Sequence, residues 1–161
     1  MLRTVLRILI ALLLTFQVFG SGIDDKSYFA ARRESVMKKI AGSIALLEGA
    51  ADTRAYVAFR QSNEFYYLTG VEAPGAFLIL DAVHHRTLLF LPPRNQMQEK
   101  WEGRGLYPGE DARTLTGCDE VLENSQLSQE LEKLQRSIQS IYIPMKPEET
   151  AAVSRDRASQ S

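Results

Sequence analysis

The residues able to do bond-making chemistry are few and scattered. His84 and His85 are the only histidines and Cys118 is the only cysteine. A hydrolytic site needs a nucleophile or a metal-bound water, an acid–base group and donors for an oxyanion. The sequence contains no Gly-x-Ser-x-Gly, no His-Glu-x-x-His, no phosphate-cradling glycine loop and no Cys-x-x-Cys pair. Neighbours on an extended backbone point to opposite sides, so His84 and His85 are not expected to share a metal. Nothing near Cys118 supplies the base and orienting group that a catalytic thiol requires, and it reads as a small apolar residue beside a strand. The carboxylates fall mainly on helix faces and in loops, where solvation accounts for them. No catalytic residue and no metal ligand is therefore expected in this chain.

Chemistry of positioning and recognition is concentrated elsewhere, in the stretch from Phe59 to Gly70. It holds four of the chain's fourteen Phe, Tyr and Trp residues, interleaved with Arg60, Gln61, Ser62, Asn63 and Glu64. A plain core strand has no use for five polar residues in succession. The expected local structure is a strand end over Val57–Arg60, then a short helical turn capped by Ser62. Tyr66 to Leu68 are expected to return to the core, and Gly70 to break the chain at a positive φ. With no chemistry of its own, this would be a strand–turn–helix junction.

The residues Arg60-Gln61-Ser62-Asn63-Glu64-Phe65-Tyr66-Tyr67-Leu68-Thr69-Gly70 resemble a signature of the amino-terminal domain of Xaa-Pro aminopeptidases, Tyr-Arg-Gln-x-Ser/Asn-x-Phe-x-Tyr-Leu-Thr-Gly. Creatinase and prolidase carry related domains. Arg60, Gln61, Asn63, Phe65, Tyr67 and Gly70 match the structural signature residue by residue. Arg32-Arg33 matches an Arg-Arg pair in the family's opening helix. Val71-Glu72-Ala73-Pro74-Gly75 is similar to the family's Gly-x-x-Glu-Pro turn, with Ala73 intervening before Pro74. The resemblance spans roughly residues 27 to 145 and implies a mixed β-sheet flanked by helices.

The same resemblance implies where the chemistry resides. Family members carry it in a carboxy-terminal "pita-bread" domain, in which two Asp, two Glu and a His hold a pair of metal ions, usually manganese. Two divalent ions lower the pKa of a bridging water, which cleaves the bond before a penultimate proline. No counterpart of that domain is found between residues 1 and 161, so no cofactor is expected on this chain and it is expected to be inactive alone. By resemblance, Trp101-Glu102-Gly103-Arg104 matches a Trp-x-Gly-Arg segment near the catalytic cleft, in some members the cleft of a neighbouring subunit. Trp101 would wall a proline pocket and Arg104 would pair with a carboxylate. Glu102 stands where several relatives carry an apolar or aromatic residue. Without the resemblance, a lone Trp at a helix end reads as a half-buried core residue. The implied partners are a carboxy-terminal metallopeptidase domain, further copies of the chain and Xaa-Pro peptides. The other reading is a free-standing exported module that binds peptide or protein without hydrolysing it.

Elements follow from periodicity. Phe29, Val36, Met37 and Ile40 recur at helical spacing from Tyr28 to about Ala41, after a cap at Ser27, with Arg32, Glu34, Lys38 and Lys39 opposite. Gly42 ends that helix. Ser43–Leu47 and Ala55–Phe59 read as strands. Ala76–Leu80 and Leu88–Leu91 read as a hairpin buried on both faces, joined through Asp81–Arg86. Pro92-Pro93 stops it, and Asn95 with Gln98 forms a capping-box pattern for a helix through Trp101. An open loop follows, through Gly105, Pro108 and Gly109. Cys118–Leu122 reads as a strand, and Leu127, Leu131, Leu134 and Ile138 as one face of a helix. Ile141–Ile143 is a last strand, ended by Pro144. Strands and helices without a strict βαβ rhythm predict an α/β fold built on a mixed sheet.

The ends read differently. Arg3 and Arg7 precede an apolar run from Ile8 to Leu14, with small residues from Gly20 to Gly22. This is the layout of a secretory signal peptide over residues 1–22; the alternative is an uncleaved anchor, although the apolar core is shorter than the roughly 20 residues that span a bilayer. Export to a periplasm or the exterior is the expectation, with residues 23–146 forming the domain. Residues 147–161 alternate charge with Ala, Ser and Thr, and are expected to be a flexible tail or linker. The net charge of −1 gives no electrostatic reason to expect nucleic acid.

Overall fold

A computed structural model describes residues 25–52, 58–103 and 105–145. The expected signal peptide, the residues from 147 onward, Arg104 and the 55–57 part of the expected second strand lie outside these residues. Ala58 and Phe59, the rest of that strand, are without regular structure.

Five strands form one mixed sheet: β1 (Ile44–Glu48), β2 (Phe77–Asp81), β3 (Arg86–Leu91), β4 (Glu120–Glu123) and β5 (Ile141–Tyr142), in the order β4-β3-β2-β1-β5. The β2–β3 hairpin is antiparallel, with Leu78 opposite Leu89, and β1 pairs antiparallel with β2. The outer strands β4 and β5 each run parallel to their neighbour. This is the mixed α/β sheet that the sequence predicts.

Strand alternation divides the core in two. Ala45, Leu47, Leu78, Leu80, Leu89 and Leu91 face one layer, with Met37, Phe65, Leu68 and Ala112. Ile44, Ile79, Leu88 and Phe90 face the other, closed by Leu134 with Leu127, Leu131 and Ile138. The first layer belongs to helices α1 (Asp25–Lys39), α2 (Asn63–Thr69) and α4 (Glu110–Thr116), the second to α5 (Leu127–Leu134). Burial of each large side chain contributes about 2 kcal/mol, so covering both faces of β2 and β3 supplies much of the driving force.

Several boundaries differ from the sequence reading. Helix α1 already includes Asp25, which puts Ser27 inside the helix rather than at its cap. Helix α5 ends at Leu134, and Ile138 reaches the core from the following turn. Helix α3 (Gln96–Glu102) starts where expected: the Asn95 side chain accepts hydrogen bonds from the N–H groups of Met97 and Gln98, at 3.1 and 3.2 Å. Helix α4 falls in a segment, 110–116, to which the sequence reading assigns no element. Its signals are local: Glu110 and Asp111 favour a helix N-terminus, and Gly117 leaves it at φ +62°.

Candidate functional site

The signature stretch is a joint built around one buried amide. Gln61 Oε1 accepts from the Ala50 N–H at 2.6 Å and the Ser62 N–H at 2.9 Å, while Nε2 donates to the Ala73 carbonyl at 3.1 Å. One side chain thereby ties together the chain leaving β1, the start of α2 and the turn before β2. Ser62 stands at the helix N-cap position but its side chain makes no capping bond. Gly70 adopts φ +66°, as the sequence predicts, and Phe65 is fully buried. Tyr66 and Tyr67 do not return to the core. They lie on the outer face of α2, 46 % and 54 % exposed, because the 3.6-residue period sends only Phe65, Leu68 and Thr69 inward. Arg60 and Asn63 are exposed.

The two arginines of α1 have different tasks. Arg33 is buried, and Nη1 donates to the Leu68 carbonyl at 3.1 Å while Nη2 donates to the Gly117 carbonyl at 2.7 Å. These carbonyls sit at the C-terminal ends of α2 and α4, where helix carbonyls lack partners and the dipoles favour a cation. Arg32 lies against the rings of Tyr28 and Tyr67, its Cζ 4.0 Å from each centroid, and donates to the Tyr67 carbonyl at 2.8 Å. Helical periodicity alone predicts Arg32 on a solvated face. Its four-residue spacing from Tyr28 was a usable signal, whereas Tyr67 came from another helix.

Trp101 lies in the last turn of α3 and is 86 % exposed, so it is not the half-buried core residue that a lone Trp suggests. Met97, one turn earlier, is 69 % exposed. Arg104 lies outside the described residues. The other polar cluster closes the β2–β3 hairpin. Buried Asp81 accepts from His84 Nδ1 at 2.7 Å and Arg86 Nε at 3.0 Å, and Arg86 Nη1 reaches Glu120 at 3.0 Å. Burial alone would raise the Asp81 carboxyl, but the hydrogen bonds from Arg86 and His84 outweigh it and hold the group below its ordinary range. His84 and His85 sit in a tight turn rather than on extended backbone, with His85 at φ +51°. Cys118 is buried, and that burial pushes its thiol up, away from the reactive thiolate.

Among the described residues no three His, Cys, Asp or Glu side chains come together as a metal site. The described residues therefore do not fit a dimetal centre. Fold and site together define a class: a mixed α/β domain whose buried polar residues brace its joints and whose Tyr28, Tyr66, Tyr67 and Trp101 face outward. The family model for the aminopeptidase P N-terminal domain matches residues 29–142. The chain is 33 % identical to Xaa-Pro aminopeptidase of Escherichia coli K12 over 127 residues, 73 % of this chain and 28 % of that protein. It is 35 % identical to Xaa-Pro aminopeptidase 3 of Dictyostelium discoideum over 106 residues, 61 % of this chain and 20 % of that one. Zinc-substituted E. coli aminopeptidase P in complex with product superposes at a TM-score of 0.66 and 29 % identity, over 80 % of this chain and 31 % of that one. The chain belongs to the aminopeptidase P N-terminal domain family. It spans less than a third of the length of these relatives.

Proposed function

We propose that these residues are the non-catalytic amino-terminal part of an exported Xaa-Pro aminopeptidase, serving subunit assembly and the shaping of its substrate cleft. The observation that carries this is Trp101. A tryptophan 86 % exposed near a helix end gains almost nothing from its own domain, and exposed large apolar groups of this kind mark contact surfaces. In this reading Trp101 walls the pocket for a penultimate proline and Arg104 pairs with a carboxylate. The bond-breaking step belongs to a metallopeptidase domain outside residues 1–161, with manganese the expected metal. Residues 1–22 would direct export, and residues 147–161 would lead to the second domain.

The intact mass of the native product is the direct test. A mass well above the 18.1 kDa of this chain supports the reading, and Xaa-Pro hydrolysis with manganese is then the assay to run. In that longer protein Trp101→Ala should lower kcat/KM for Xaa-Pro peptides without loss of fold. A mass slightly below 18.1 kDa would replace this reading by a processed, stand-alone binding module.

A further inference from the structure

A second outward surface lies on α1 and α2, and the proposed function makes no use of it. Its centre is Arg32, with Tyr28 and Tyr67 each placing a ring 4.0 Å from the guanidinium carbon and Phe29 at 5.4 Å. Tyr28 and Tyr67 are 53 % and 54 % exposed. The faces of a guanidinium so held are covered by rings, and its donors are available only at the edge. One of the five N–H groups goes to the Tyr67 carbonyl. Among the described residues no carboxylate comes within ion-pair distance of Arg32, whereas Arg86, Arg94 and Arg113 all have one.

Beside Arg32 runs a groove of about 530 Å³, walled by Phe29, Tyr66 and Leu115. Its described lining includes two cations, Lys26 and Arg32, against one carboxylate, Glu72. Arginine and tyrosine are the residue types that carry most binding energy at protein contacts. Aromatic stacking also fixes the arginine fork before a partner arrives, which reduces the ordering cost of binding.

We infer that this groove docks an acidic peptide segment of another protein, with a carboxylate on the edge of Arg32 and a neighbouring apolar side chain against Tyr66 and Leu115. The charge balance selects a carboxylate, and the planar fork favours bidentate contact. The rings alone would take any apolar segment, so discrimination between acid and amide is the property that marks the site.

The test titrates the isotope-labelled chain with acetyl-Gly-Glu-Phe-Glu-Gly-amide and with the same peptide carrying Gln for both Glu residues. The glutamate peptide should shift the Arg32 Nε resonance and the Gly70 amide, and the glutamine peptide should bind at least about tenfold more weakly. Arg32→Gln should abolish the difference between the two peptides. Arg32→Lys, which keeps the charge and loses the fork, should recover only part of it. Both variants should retain cooperative melting. Equal affinity for the two peptides, no response to either, or shifts confined to other surfaces would overturn the inference. So would self-association of the chain that Arg32→Gln removes, since the occupant would then be a second copy. None of these outcomes depends on whether a metallopeptidase domain follows, so failure here leaves the proposed function standing.

Discussion

Arg33 Nη2 donates to the Gly117 carbonyl oxygen at 2.7 Å, across 84 residues of sequence. The same guanidinium donates to Leu68, so one buried cation holds the C-terminal ends of α2 and α4 against α1. Among the described residues no carboxylate pairs with it, and the partial negative charge of two helix ends takes that place. Arg33→Met removes the cation and leaves buried carbonyls without donors, and is expected to cost about 3 kcal/mol by chemical denaturation. Arg33→Lys keeps the charge but cannot reach both helix ends, and should recover less than half of that loss.

Gln61→Ala should be comparably damaging, at about 3 kcal/mol, because it strands two N–H groups and a carbonyl at a buried joint. Gln61→Glu preserves the acceptor for Ala50 and Ser62 but turns the donor to Ala73 into a second acceptor. Its penalty should therefore fall as the carboxyl protonates at low pH, a trend that equilibrium unfolding across pH would reveal or refute.

At Gly70 a methyl group meets both strain and contact. The backbone is at φ +66°, and a Cβ there would lie 2.3 Å from Phe29 Cε2. Gly70→Ala should cost more than about 2 kcal/mol. Pairing it with Phe29→Leu should recover the steric part and leave the backbone part of about 1 kcal/mol, and a double-mutant cycle on melting temperature separates the two.

The hairpin cluster makes stability depend on pH. Asp81 is held below its ordinary value of 3.8 in the folded state, so it binds protons less readily there than in the unfolded chain. Its stabilising contribution is fully present above that ordinary value and is lost as pH falls through the lower folded value. Asp81→Asn should cost about 3 kcal/mol at neutral pH by leaving Arg86 short of a buried partner. The gap between wild type and variant should shrink below pH 3.8. A gap that stayed constant into acid would mean that the carboxylate charge is not what stabilises the hairpin.

Trp101→Ala should leave the melting temperature of this chain nearly unchanged, because an exposed ring contributes little to its own fold. A loss above about 1 kcal/mol would show that the ring packs on its own domain, and the cleft reading would lose its supporting observation.

Much of the architecture was legible because it rests on local rules. Continuous apolar runs marked β2 and β3, Asn95 marked a helix start, and Gly70 marked a left-handed turn. The signature stretch was enough to identify the family, since it combines residue types that neither a plain strand nor a plain helix requires. What local pattern could not decide was direction. Whether Arg32 or Arg33 turns inward depends on where the ends of α2 and α4 lie, and those ends are brought together only by packing on the sheet. The same holds for Tyr66 and Tyr67, which read as core by composition and were turned outward by the helical phase that buried Phe65 and Leu68 set. Sequence determined most of the helices and strands, α4 excepted, because propensity and periodicity act between neighbours. Tertiary structure decided which polar groups brace the interior and which rings face a partner, because burial and hydrogen-bond satisfaction are settled between residues far apart in the chain.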